Sequence, residues 1–364
     1  MTNTFPLLSL PYLCQKNVID CWNPFEFFTF ARLSQRTMRI ATFIKKRIPY
    51  IVVYCPSLAG EYCLEMKAPG EDSWISWKFC SLNHWDKDYR RPNKYVIRSS
   101  DEFLGLLDLT RDILKIFKTS NNKISMRLNR RVTRDQISSF IDFANSLKRN
   151  PEDTEFLFEM NTCNGPLLQQ TMNGLSKNVK NITIFSYDTR DFSIDLPKFK
   201  VMNRLDVWGK CRWVNLKFLL QVDPIRIYME HKTWTSRELN RLLKCWIEGK
   251  MRLKQCEIYF KQQIDIKEIL IGLHAELMDP RIHVKSLQID VGYRIKTTRV
   301  YGGIYLNRND GRRIVITHFG HKEHRNGEGV PQKVIDEYEK AVRTWNERGV
   351  SRVYPTYKLC MYSE

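Results

Sequence analysis

Residues 5–47 read FPLLSLPYLCQKNVIDCWNPFEFFTFARLSQRTMRIATFIKKR, and their pattern decides how the chain begins. Leu8, Leu10 and Pro11 form an extended lead-in to a helix whose apolar positions are Leu13, Val18 and Ile19. Asn23 can cap a second helix, with Pro24 at its first position and Glu26 placed to reach back to the cap. Phe25, Phe27, Phe28, Phe30 and Leu33 then follow almost without interruption, covering more faces than one core needs. Ser34 opens a third helix carrying Ile40, Ala41, Phe43 and Ile44; it ends in Lys45, Lys46 and Arg47, where cations favour a helix C-terminus. Three short helices in about 45 residues fall below the size at which a lone core is stable, so the stretch is expected to dock on something else.

Working outward, the chain has 364 residues, 43% hydrophobic and 12% aromatic, enough for one small module plus one or two larger units. The apolar stretch from Ile48 to Gly60 is broken by Pro49 and Pro56 and is shorter than the ~20 residues of a membrane span, so no span is predicted. Residues 1–15 lack a basic start and contain Pro6 and Pro11, which argues against a secretory leader and for an intracellular chain. Ten cysteines without any C-x-x-C pair are expected to be reduced and mostly buried. The formal charge of +19 is spread along the chain, Arg127–Arg134 being its densest run, and no nucleic-acid motif accompanies it. Acidic protein partners are the expected consequence, and nucleic acid is an unlikely one.

Residues 50–98 read as strands of a small antiparallel sheet: Tyr50–Tyr54, Tyr62–Met66 and Trp74–Phe79 alternate, with Pro and Gly at 56, 60, 69 and 70 between them. Ser99 with Glu102, and Thr133 with Gln136, form capping boxes before two amphipathic helices. From about residue 165 a loose repeat begins, each unit carrying an apolar-x-apolar strand: Ile182–Ile184, Leu205–Val207, Ile225–Ile227, Cys256–Ile258 and Leu287–Ile289. The spacings suit one strand plus one helix per unit. Thr235 with Glu238 caps the best-formed helix, lined by Leu239, Leu242, Leu243, Trp246 and Ile247 and ended by Gly249. Asp310–Gly311 marks a hairpin turn, residues 320–329 are polar, and a last helix is predicted from Pro331 to about residue 346.

The ordered set Leu-Pro-x-Leu, a Val-Ile pair, x-Pro-Phe-Glu-Phe-Phe and Leu-Ser-x-Arg-Thr resembles the F-box, in the version found in large nematode families of F-box proteins. In that family the module inserts into the Skp adaptor of a cullin-based ubiquitin ligase. The resemblance implies that Leu8, Leu10, Pro11, Leu13, Val18, Ile19, Pro24, Phe25 and Phe28 lie at or just behind that interface. Tyr12 stands where an acidic residue is frequent, and the Cys-Arg-x-Trp ending is missing. The segment HKTWTSRELNRLLKCWIEGKMRLKQCEIYF, 231–260, resembles the F-box-associated domain that follows the F-box in those families, through Trp234, Leu239, Asn240, Leu243, Trp246, Ile247 and Gly249.

The expected fold is therefore α/β: a three-helix F-box, 5–47; a linker region with a small β-sheet and two amphipathic helices, 48–164; a degenerate leucine-rich-repeat-like α/β solenoid, 165–320; and a polar loop with a C-terminal helix, 321–364. In the repeat strands the residues between and after the inward pairs face outward. One outward column holds Thr183, Asp206, Arg226, Glu257 and Gln288, the other Phe185, Trp208, Tyr228, Tyr259 and Asp290. Aromatic anchors beside charges suit a protein-binding surface, and Phe185, Trp208, Tyr228, Tyr259, Asp206, Arg226 and Glu257 are its candidates. Coverage of these aromatics as core is the other reading.

Catalytic signals are thin. His318, His321 and His324 with Glu323 could gather a zinc ion but read as a solvated loop, and the acid pairs Glu71–Asp72 and Glu152–Asp153 read as turns. No P-loop, G-x-S-x-G, H-E-x-x-H or Rossmann fingerprint occurs, and no cofactor is expected. The resemblance implies a non-catalytic substrate-recognition subunit, with a Skp adaptor, a cullin scaffold and an unknown protein target as partners. The alternative is an adaptor-independent module that binds acidic proteins or nucleic acid through its basic surface.

Overall fold

The computed structural model describes residues 7–55, 62–67, 74–81, 94–128, 132–147, 154–160, 165–175, 178–186, 199–209, 211–230, 233–290, 295–317, 329–345 and 355–363. The chain divides into two compact units, Met1–Glu159 and Met160–Glu364.

In the first unit a short turn, Leu7–Ser9, leads into α1 (Tyr12–Asp20), α2 (Pro24–Arg32) and α3 (Gln35–Ile44). The predicted caps form: Glu26 N–H donates to Asn23 Oδ1 at 2.9 Å, Asn23 N–H donates to Glu26 Oε2 at 2.8 Å, and Ser34 pairs likewise with Thr37. Lys45, with a φ of 47°, ends α3 in the left-handed region and turns the chain directly into β1 (Lys46–Cys55). Then come β2 (Tyr62–Lys67), β3 (Trp74–Ser81), β4 (Lys94–Ser99), α4 (Glu102–Ile116), β5 (Phe117–Leu128), α5 (Arg134–Ser146) and β6 (Thr154–Met160).

The strands of this unit lie in the order β6-β5-β1-β2-β3-β4. β1, β2 and β3 are antiparallel as the alternation predicts, whereas β4 runs parallel to β3 and β5 parallel to β1, so the sheet is mixed. Parallel neighbours need a crossover, and α4 belongs to the one that returns the chain to β5 beside β1, burying Phe103, Leu106, Leu107 and Ile113. Its cap is Asp101, which accepts from Leu104 N–H at 2.9 Å; the expected cap, Ser99, instead hydrogen-bonds Asp101. The Thr133–Gln136 box opens α5 as expected.

The phenylalanine run of α2 is satisfied inside this unit. Phe25 meets Trp77 at 4.4 Å and Tyr95 at 3.7 Å between ring centroids, Phe28 meets Trp77 at 5.8 Å, and Phe27 meets Phe117 at 5.3 Å. The three helices thus gain their core from the strands that follow them. Lys46 fastens the end of α1: its Nζ donates to the carbonyls of Ile19 at 3.2 Å, Asp20 at 3.0 Å and Trp22, and burial pulls its pKa below the ordinary lysine value. Lys46→Met is expected to loosen α1 by about 1–2 kcal/mol, seen as faster amide exchange in residues 12–20 with α5 unaffected.

The second unit holds α6 (Gly165–Gly174), β7 (Asn178–Ser186), β8 (Lys200–Gly209), α7 (Leu216–Val222), β9 (Arg226–Glu230), α8 (Ser236–Ile247), β10 (Gln255–Asp265) and α9 (Ile266–Ile269). It continues with β11 (Ala275–Met278), β12 (Val284–Asp290), β13 (Ile295–Tyr301), β14 (Gly303–Asn307), β15 (Arg313–Thr317), α10 (Gln332–Trp345) and β16 (Pro355–Ser363). Its main sheet runs β11-β14-β15-β16-β10-β9-β8-β7. β7 to β10 are parallel and in chain order.

The fifth expected strand does not join these four, which corrects the expectation of a longer row. Leu287–Gln288–Ile289 lies in β12, which among the described residues pairs with β13 alone in a separate two-stranded sheet, the antiparallel partner being the next strand in sequence. The strand beside β10 is instead β16, antiparallel, from a tail expected to hold only a loop and a helix. The hairpin β14–β15 turns at Gly311, whose φ is 86°, as Asp310–Gly311 predicts.

The residues that carry the resemblance around α8 are structural. Thr235 and Glu238 cap the helix, and Gly249, with a φ of 81°, ends it. Trp246 Nε1 donates to Leu253 O at 2.8 Å, Trp234 Nε1 to Val214 O at 2.9 Å, and Asn240 Nδ2 to Ile269 O at 2.7 Å. The Arg308 guanidinium lies 5.5 Å from the Trp246 ring and donates to Met251 O at 2.9 Å.

Candidate functional site

Two surfaces stand out, one in each unit. In the first, α1 and α3 leave an apolar face open: Leu13 is 70% exposed, Phe43 71% and Tyr12 43%, and the Tyr12 and Phe43 rings meet edge to face at 5.1 Å. Pro11 is exposed beside them, and Leu8, Leu10 and Val18 are half-buried. Ile19, Pro24, Phe25 and Phe28 are buried beneath. The nine sequence-predicted positions therefore separate into a surface layer and the layer that supports it. Phe43 and Tyr12 join the surface without having been expected there.

The second surface is the outward face of β7–β10. Ile182, Ile184, Leu205, Val207, Ile227, Met229, Cys256 and Ile258 all point inward and are buried, so their alternates share the opposite face. Four rings run across it: Phe185 to Trp208 at 5.8 Å, Trp208 to Tyr228 at 4.5 Å, and Tyr228 to Tyr259 at 5.5 Å. All four are half-buried, intermediate between an open platform and a covered core.

The register is staggered relative to the expected columns. Phe185 lies opposite Trp208, but Tyr228 lies opposite Asp206 rather than Trp208, and Tyr259 lies opposite Glu230. The rings still touch because aromatic side chains reach diagonal neighbours. Gln288 and Asp290, placed in β12, are outside these columns.

Charges on the face are largely engaged by one another. Asp206 is 2% exposed and is held by Arg204 through Nε at 2.8 Å and through Nη2. Glu257 takes an ion pair from Lys358 at 3.0 Å, and the Lys358 ammonium also sits 4.6 Å from the Tyr259 ring centre. Burial raises the Tyr228 hydroxyl above its ordinary pKa, with Tyr259, Glu230 and Glu257 adding to it, so it stays a neutral donor. Arg226 is half-buried on the same face. Beyond Lys358 the face closes: Cys360 and Tyr362 pack with Val300, Tyr305 and Val315 into a buried cluster. Lys358 and Arg204 were missed by sequence reasoning; the apolar run Leu359–Tyr362 was the available signal for β16.

Cys14 and Cys21 are exposed, whereas burial pushes the thiols of Cys211 and Cys360 up to about 12 and leaves them unreactive. Asn181 of β7 accepts from Asn203 Nδ2 of β8 at 2.9 Å. Among the described residues no three His, Cys, Asp or Glu side chains converge as metal ligands, and no helix is long and apolar enough to cross a membrane. His318, His321, Glu323 and His324, the two acid pairs, and Arg130 and Arg131 lie outside the described residues.

No curated protein and no solved structure matches this chain. Residues 174–258, which take in β7 to β9, α8 and the start of β10 together with three of the four rings, match the family described as F-box associated.

Proposed function

We propose that this protein is the substrate-recognition subunit of a Skp-cullin-F-box ubiquitin ligase. The match of residues 174–258 to the F-box associated family carries the reading, because such a domain is associated with F-box proteins. The capped three-helix stretch with its exposed Leu13, Tyr12 and Phe43 supports it, as the face that a Skp adaptor would cover. The ring ladder Phe185–Trp208–Tyr228–Tyr259, flanked by Arg226, Glu257 and the Arg204–Asp206 pair, is the face that would hold the target.

The mechanism is proximity. The α1–α3 face tethers the chain to the ligase, and the ladder keeps a target near the conjugating enzyme, raising the effective concentration of its lysines. No side chain of this protein makes or breaks a bond. Leu10→Asp with Leu13→Asp is the informative variant, since Leu13 is largely exposed, whereas an aspartate at the buried Phe25 would unfold the unit. Affinity purification of the full chain is expected to bring down a Skp adaptor and a cullin, and the double variant, with unchanged thermal melting, neither. A wild-type chain that recovers no adaptor would move the protein to the adaptor-independent reading.

A further inference from the structure

Residues 5–47 carry seven Lys or Arg against two acids, Asp20 and Glu26. Both acids are engaged: Asp20 pairs with Lys16 at 2.5 Å, and Glu26 closes the cap of α2. Lys46 is occupied by backbone carbonyls. Among the described residues no carboxylate lies within ion-pair distance of Arg36, Arg39, Lys45 or Arg47. Asp112 of α4 shares a cleft with Arg39, but its carboxylate bonds Lys115 at 3.0 Å.

The position of these cations matters more than their number. Arg36, Arg39 and Phe43 are spaced at i, i+3 and i+7 on α3 and so form one stripe of that helix. Phe43 meets Tyr12 of α1, and Arg36 Nη2 donates to Leu8 O at 3.3 Å. The open apolar face and the uncompensated guanidinium groups are therefore one continuous surface. An apolar partner without charge would bury the Leu13 and Phe43 side and strand Arg39 at its rim. A partner with carboxylates beside its apolar groove would relieve that repulsion.

We infer that this face selects its partner by charge: it takes an adaptor chain whose docking groove is edged with carboxylates, with Arg36 and Arg39 as the specificity-determining residues. The inference rests on the ligase reading and adds to it which adaptor chemistry is accepted. Apolar contact fixes the site, and the arginine stripe sets the rate of encounter and rejects neutral or basic grooves.

The test is titration of the full chain with purified acidic Skp-type adaptor at low and high salt, using wild type, Leu13→Asp, Arg39→Gln and the pair Arg36→Glu with Arg39→Glu. The expected result is that Leu13→Asp abolishes binding and the charge reversal weakens it about tenfold or more, mainly through the association rate. Arg39→Gln should give a smaller loss, and the reversal should flatten the salt dependence. Binding lost in Leu13→Asp but unchanged by charge reversal and salt would overturn the charge-selection inference and leave the ligase reading standing. A wild-type chain that binds no adaptor at any salt would remove both. Arg36 also holds Leu8, so the Arg39 variants carry the decision if the pair alters the melting profile.

Discussion

Trp246→Ala is expected to destabilise the second unit by about 3–5 kcal/mol. The indole is fully enclosed, its N–H donates to Leu253 O at 2.8 Å, and the Arg308 guanidinium covers its ring. Truncation opens a cavity beneath α8 and leaves the Leu253 carbonyl without its donor. Trp246→Phe keeps most of the volume and should cost only about 1–2 kcal/mol. Urea unfolding followed by circular dichroism measures both; a loss below about 1 kcal/mol for the alanine variant would mean that α8 is not the keystone of this unit.

Trp208→Ala with Tyr228→Ala should remove target capture while leaving the fold in place. Trp208 and Tyr228 are the two central rings of the ladder, 4.5 Å apart, and each also supports an outer ring. Large half-buried aromatics at the middle of a protein interface are where binding energy concentrates, about 2 kcal/mol or more each. Their loss from the free protein should cost less, because both keep part of their surface in water. Binding lost with little change in melting is the expected outcome, and binding retained by the double variant would return the ladder to a structural role. Charge changes at Asp206 are poor tests of the same face, since Asp206 is buried and held by Arg204.

The parts of the fold that were legible in the sequence are those fixed within a few residues. Asn23–Glu26, Ser34, Thr133–Gln136 and Thr235–Glu238 all cap helices where they were read, because a cap is a bond between neighbours in the chain. Inward and outward alternation in β7–β10 followed the period of two and placed all four rings on one face. Pairing was not legible. Leu287–Gln288–Ile289 has the same local pattern as the strands of β7 to β10, yet its neighbour β13 captures it in a hairpin. β16 enters beside β10 from nearly the far end of the chain, and nothing local to residues 355–363 announces that partner.

The candidate sites divide along the same line. The sequence marked Phe25 and Phe28 as apolar but did not say that Trp77 and Tyr95 would cover them, which leaves Leu13, Tyr12 and Phe43 as the open layer. The two-residue stagger between β8 and β9 was likewise invisible, because each strand alone has the right alternation in either register.

The central claim is that one chain joins a ligase through α1 and α3 to a target held on the ladder. Ubiquitin-remnant profiling of cells expressing wild type, Leu13→Asp, or Trp208→Ala with Tyr228→Ala, with degradation blocked, tests both halves together. The account predicts at least one protein that binds the wild-type chain, loses its ubiquitin in the Leu13 variant while remaining bound, and loses both in the ladder variant. If every protein bound by the wild-type chain has the same ubiquitin level in all three, the chain is not a ligase receptor.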